Sequence, residues 1–440
     1  MRFPKALGTF HAAHPALRLH LQLSVHVSRE AVGYVRAVAV MLKTDADLSA
    51  PTIGPARLVG VDARQHRKII LPQIDGLRGV AICAVIFQHA FSHGISHALV
   101  ATGVVGFPYL VDNGWMGVSL FFVLSGFVLS LPYTGAETKF YDPAEAIAFY
   151  RRRARRLLPL FAIGCFVGYL VNHATLVSLL LALTTMSMFS ADEFFPHVNG
   201  PFWTLMLEIW FSISLPALMI AAVRFGYWRV FAAAAATALI IRLVGTQLSF
   251  PAFPAPYINP LKDSVPARID DFVLGMVVAK LYRDGHLREA SQWLFVPGVA
   301  VVVLSGIGWD LIMQGIAPRW LGGLLNLVTS TGFACVMISC LAPRSGTGRA
   351  ISWQPLRVVG AMCFSLYCWH FLVVQVINPN SLEIKRVGLF LLTTAGISIL
   401  SYRFIEFPQK TWRSLALLRQ RHDVGVSVTN GAEHAPIFRR

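Results

Sequence analysis

Between residues 75 and 406 the chain alternates long apolar runs with short polar breaks. The runs cover roughly 75–93, 114–133, 157–174, 202–223, 228–246, 267–283, 292–310, 320–342, 357–378 and 387–406. A helix needs about 20 consecutive apolar residues to cross a bilayer, and each run is close to that length. Backbone groups in hydrocarbon must be satisfied internally, so helices are the spanning element for such runs. The pattern predicts an all-α polytopic integral membrane protein with about ten transmembrane helices. A further apolar piece, Leu176–Phe189, is short and ambiguous.

Charge settles that ambiguity. If Leu176–Phe189 does not cross, the loops carrying Arg151–Arg156, Arg224/Arg229, Lys280/Arg283/Arg288, Arg344/Arg349/Arg357 and the Arg-rich tail share one side. The segments 94–113 and 175–201, which contain no Lys or Arg, then share the other. If the piece crosses, every later basic loop violates the positive-inside rule. The expectation is therefore ten spans, both termini cytoplasmic, and Leu176–Phe189 re-entrant or interfacial on the outer side.

Composition agrees. Only 14% of the 440 residues are charged, against about 25% in soluble proteins, and 55% are hydrophobic. The formal charge of +16 is read as topology-setting loop charge rather than nucleic-acid binding. The six cysteines, Cys83, Cys165, Cys335, Cys340, Cys363 and Cys368, all lie in apolar segments without a CxxC or metal-type spacing, so no metal site is expected.

Residues 1–70 differ from the rest: His and Arg are scattered among short apolar stretches, and no signal-peptide pattern is present. They read as a poorly ordered cytoplasmic extension or an over-called start, with Met41 as an alternative initiator. Residues 71–408 form the membrane domain, and 409–440 a basic cytoplasmic tail.

The informative residues are ionisable groups inside the runs, which are expensive in hydrocarbon and mark functional sites by default. Arg78 and His89 lie eleven residues apart in one run. Eleven steps return a helix to within about 20° of the same face and advance it by about 16 Å. Arg78 suits an anion at the cytoplasmic end, and His89 suits a deeper acid or base. A long substrate with phosphates at one end fits that spacing. Glu208 can pair with Arg or His, or orient a hydroxyl. Arg151, Arg152 and Arg153 form a dense cationic mouth able to clamp phosphates. Ser125 and its glycine neighbour indicate close helix packing. Spacing alone gives His370 a structural role, and Asp270, Asp271 and Glu406 sit near run ends where a carboxylate reaches water.

These motifs together resemble a known family. Leu77-Arg78-Gly79 with His89 looks like the Arg-x10-His signature of the bacterial acyltransferase 3 family, and Gly117–Phe127 looks like its second-span motif. Phe149–Arg153 resembles its FYRRR-type loop. Trp203-Thr-Leu-x-x-Glu208 is similar to its WSLxxE element, with Thr204 where Ser is usual. Phe364–His370 and Ser401–Pro408 resemble its last two span motifs.

The resemblance implies a bacterial inner-membrane O-acyltransferase. It would move an acyl group, commonly acetyl, from cytoplasmic acyl-CoA to a hydroxyl of an envelope or secreted carbohydrate, or of a lipid-linked glycan. Carried over, His89 and Glu208 are catalytic, and Arg78, Arg151, Arg152 and Arg153 bind the donor. Ser125, Trp203 and His370 are candidates to line the acceptor side. No permanently bound cofactor is expected, since acyl-CoA is a co-substrate. Residues 1–70 have no counterpart in the family. A transporter or flippase exporting a glycan or polar lipid is the competing class.

Overall fold

The computed structural model describes residues 71–92, 94–96, 108–135, 138–248, 259–379 and 382–409. The expected extension 1–70 and nearly all of the tail lie outside them. The described chain contains thirteen α-helices: α1 Pro72–Phe87, α2 Gly117–Ser130, α3 Pro143–Val171, α4 Leu176–Leu183, α5 Phe202–Phe225, α6 Tyr227–Gln247, α7 Val265–Arg283, α8 Phe295–Met313, α9 Leu321–Leu341, α10 Gly346–Ile351, α11 Gln354–Ala361, α12 Cys363–Ile377 and α13 Ile384–Ser401. Two widened π-helical turns extend them, Gln88–Ser92 after α1 and Tyr402–Glu406 after α13.

Eight helical stretches among the described residues are long and apolar enough to cross a bilayer. Counting α11 and α12, bent by 74° at their junction, as one span makes nine. Large apolar side chains stand exposed on these helices, among them Phe166, Leu170, Ile240, Leu304 and Leu392. A water-soluble fold would not expose so many, whereas a lipid-facing belt requires them. The protein is an all-α polytopic membrane protein. The tenth expected run is α7, which has the length but carries Arg268, Asp270, Asp271 and Lys280. The piece at 176–189 is an eight-residue helix, about 12 Å long, followed by a short turn at Met186–Phe189. That is less than half the hydrocarbon thickness.

One boundary differs from expectation in a way that matters. The third span begins at Pro143, capped by Asp142, whose carboxylate accepts from the amide of Ala144 at 2.9 Å. Arg151–Arg156 are thus on a helix continuous with the span and not in a loop before it. At 29 residues, about 44 Å, this helix exceeds the hydrocarbon thickness, so one end can extend past it and carry charge.

Helices α2 and α7 cross in near-backbone contact. A Cβ on Gly126 would lie 2.0 Å from the Phe272 carbonyl oxygen, and one on Gly275 would lie 2.1 Å from that of Val123. Small residues permit such approach where lipid supplies no hydrophobic drive. Arg268, Asp270 and Asp271 of α7 are buried, which corrects the expectation that Asp270 and Asp271 reach water: they are 1% and 0% exposed. Asp270 pairs with Arg242 of α6, and Asp271 with Arg268 at 3.3 Å and with the hydroxyl of Ser330 of α9. Arg268 also donates to the Ser119 hydroxyl at 2.9 Å and lies over the Phe122 ring, 5.4 Å from its centroid. These pairs tie four helices together, and they neutralise charges that would otherwise bar α7 from the interior. Asp270→Ala leaves a buried guanidinium unpaired. It is expected to cost about 3–5 kcal/mol, read as a lowered melting temperature of the detergent-solubilised protein. An unchanged melting temperature would contradict this role.

Candidate active site

The site lies where α1, α2, α3, α5 and α12 converge. They enclose a cavity of about 80 Å³ with two unlike ends. One end is basic, lined by Arg78, Arg153 and Arg156 with Glu208 and Cys363. The other is aromatic, lined by Phe121, Phe122 and Tyr367 with Thr204. Ser125 lines the wall between them.

The basic end is built on helical spacing. Successive residues of a helix turn by about 100°, so three consecutive arginines fan outward and only one faces a given neighbour. On α3 that residue is Arg153, and Arg156, one turn on, joins it. Arg153 donates to the Glu208 carboxylate at 2.6 Å and to the Ser212 hydroxyl at 3.3 Å, both on α5. Arg152 turns away, donating to the Tyr133 hydroxyl at 2.7 Å and to Glu145 at 3.1 Å. Neither Arg151 nor Arg152 lines the cavity.

Arg78 and Arg156 are braced by carboxylates that do not line the cavity, Asp75 at 3.5 Å and Glu406 at 3.9 Å. Glu406 is buried and accepts from the Ser365 hydroxyl at 3.1 Å, against the expectation that it reaches water. Three guanidinium groups thus face the cavity with one carboxylate among them, a constellation that favours polyanionic groups such as phosphates.

At the aromatic end Tyr367 is fixed in place. Its hydroxyl donates to the Pro201 carbonyl at 2.9 Å and lies 2.5 Å from the Thr204 hydroxyl. One turn further along α12 is His370, with its ring centroid 5.4 Å from that of Tyr367. His370 is fully buried, and its Nε2 is 3.2 Å from Nδ1 of His89. His89 itself sits on the π turn that ends α1, a geometry common at functional sites. Tyr367, which lines the cavity, therefore touches His370 of the histidine pair, and neither histidine lines the cavity itself.

The partners of the pair assign its tautomers. His370 Nδ1 faces the carbonyls of Tyr367 at 2.9 Å and Leu366 at 3.1 Å, and carbonyls only accept, so Nδ1 carries the hydrogen. In the neutral ring Nε2 then accepts from His89 Nδ1–H, leaving the basic lone pair of His89 on Nε2. This is the arrangement of a general base oriented by a second group.

Among the sequence-derived candidates the structure brings Arg78, Arg153, Glu208 and Ser125 to one cavity, and joins His370 to His89. Trp203 packs on Phe194 and Phe195, with ring centroids at 5.6 and 6.1 Å, and does not line the cavity. Tyr367 and Arg156 were not singled out by sequence reasoning. Each lies three residues from a residue that was, His370 and Arg153, so the one-turn spacing was the available signal.

Comparison with known proteins supports an assignment. The profile of the acyltransferase 3 family, an acyltransferase domain, matches residues 71–404. The chain is 25% identical to YrhL of Bacillus subtilis, over 79% of this chain and 56% of that protein. It is 22% identical to the O-acetyltransferase OatA of Staphylococcus aureus strain NCTC 8325, over 80% of this chain and 59% of that protein. It is 24% identical to the peptidoglycan O-acetyltransferase OatA of Listeria monocytogenes, over 78% and 56%. The chain thus spans less than two thirds of the length of these relatives. No solved structure gives a significant match. The matched segment holds every residue of the cavity and of the histidine pair, and the chain belongs to the acyltransferase 3 family.

Proposed function

We propose that this protein is a membrane O-acyltransferase that uses acyl-CoA, with acetyl as the acyl group, to esterify a hydroxyl of a cell-envelope carbohydrate. The observation that carries this reading is the polarity of one cavity: guanidinium groups at one end, an aromatic end at the other, and an oriented histidine pair just beyond. A coenzyme A thioester has the matching polarity, with phosphates at one end and the reactive carbonyl at the other. The relatives named as O-acetyltransferases, one of them a peptidoglycan O-acetyltransferase, support the acetyl group and the glycan acceptor.

In this reading the basic end faces the cytoplasm of a bacterial inner membrane, with both termini on that side, as the positive-inside rule favours. Arg78, Arg153 and Arg156 hold the phosphates. His89 Nε2 takes the proton of the acceptor hydroxyl as its oxygen attacks the thioester carbonyl. The C–O bond forms, the C–S bond breaks, and the departing CoA thiolate takes the proton back from His89. Glu208 holds Arg153 in register with the donor.

Arg78→Lys tests the donor end. A point charge replaces a planar fork poorly, so the KM for acetyl-CoA is expected to rise roughly fivefold to tenfold with kcat little changed. An unchanged KM would remove Arg78 from donor binding.

A further inference from the structure

The aromatic end of the cavity differs from the basic end in how much its walls can move. Tyr367 is held by its hydroxyl on Pro201 and Thr204 and is 5% exposed. Phe122 is 3% exposed and stacked on Phe272 at 4.6 Å between centroids, and Phe272 is stacked in turn on Phe211 at 4.1 Å. Above Phe122 lies the Arg268 guanidinium, itself fixed in the buried ion network.

Phe121 is the exception. It is only half-buried, touches Tyr367 edge to face at 6.3 Å, and lines the same cavity. It occupies space beside Tyr367 at the aromatic end of the cavity, without the anchors of the other two rings.

Resting on the acyl-CoA reading above, we infer that Phe121 sets the limit on acyl chain length and confines the enzyme to short acyl donors. In that reading the thioester carbonyl lies at the Tyr367 end of the cavity, on the side of the histidine pair, so the acyl carbons beyond it lie against this aromatic end. Two of its rings cannot yield, and Phe121 fills the remaining room. A longer chain would have to displace it or pull the carbonyl back from His89. In a hydrophobic pocket one methylene changes discrimination by about 10–200-fold, so a single ring can decide between acetyl and butyryl.

The test is a series of acetyl-, propionyl-, butyryl- and hexanoyl-CoA, with kcat/KM measured in membranes holding equal amounts of wild-type, Phe121→Ala or Phe121→Leu protein. The wild type is expected to prefer acetyl to butyryl by about tenfold or more. Phe121→Ala is expected to raise the butyryl-to-acetyl ratio at least about tenfold, with Phe121→Leu in between. If Phe121→Ala does not accumulate, Phe121→Leu carries the test alone. Phe121→Trp, which adds bulk, is expected to lower the propionyl-to-acetyl ratio. Transfer from acetyl-CoA with the ratio unchanged in both smaller variants would overturn this inference alone. Transfer from no acyl-CoA by the wild type would overturn the donor reading and this inference with it.

Discussion

His89→Ala will lower the rate of acyl transfer by about 10²–10⁴-fold, the range that positioned general-base help supplies. The loss is expected in kcat, with the KM for acetyl-CoA nearly unchanged, because His89 does not line the cavity proposed for the donor's phosphates. Protein yield and membrane insertion should hold, since the ring lies on the π turn that ends its helix. Kinetics on equal amounts of wild-type and variant protein in membranes check this. A well-folded His89→Ala protein with wild-type kcat would end the base assignment.

The second large effect belongs to His370, which acts through His89. His370→Phe keeps bulk in a fully buried position but removes the acceptor that fixes the His89 tautomer. A wrong tautomer at the base of a hydrolytic triad costs up to about 10⁴-fold, and His370→Phe is expected to lower kcat by at least about 10²-fold. His370→Gln retains a carbonyl that can accept from His89 Nδ1–H, and should recover activity to within about tenfold of wild type. A purely structural histidine would behave otherwise: both variants would lose stability together, and glutamine would not restore kcat. Parallel kcat, KM and melting-temperature measurements separate the two roles.

The membrane architecture was legible because hydrophobic length is set by bilayer thickness, a constraint read directly from the order of residues. Short Leu176–Phe189 was legible for the same reason, with loop charge as the second signal. The acid groups of α7 were not, because a carboxylate near the end of an apolar run looks solvated until its partners are known. Arg242 is 28 residues from Asp270 and Ser330 is 59 from Asp271, and no periodicity announces such pairs. The arginine mouth was only half legible. Its density was plain, but which arginines face inward depends on the helix starting at Pro143 rather than near residue 157. That start is set by the Asp142 cap, a local signal overshadowed by the apolar run that follows. The Arg78 and His89 spacing placed the two groups on one helix, yet the His89–His370 contact spans 281 residues of sequence. Only the packing of α12 against α1 could bring it into view.

Transfer of an acyl group from acyl-CoA to carbohydrate through His89 can be followed by the fate of the acetyl group. The most direct measurement incubates membranes containing wild-type or His89→Ala protein with acetyl-CoA radiolabelled in the acetyl group, then counts alkali-labile label in the envelope glycan fraction. Label is expected in the glycan with the wild type, and almost none with His89→Ala. Equal labelling by both proteins, or none by the wild type, would contradict transfer through His89.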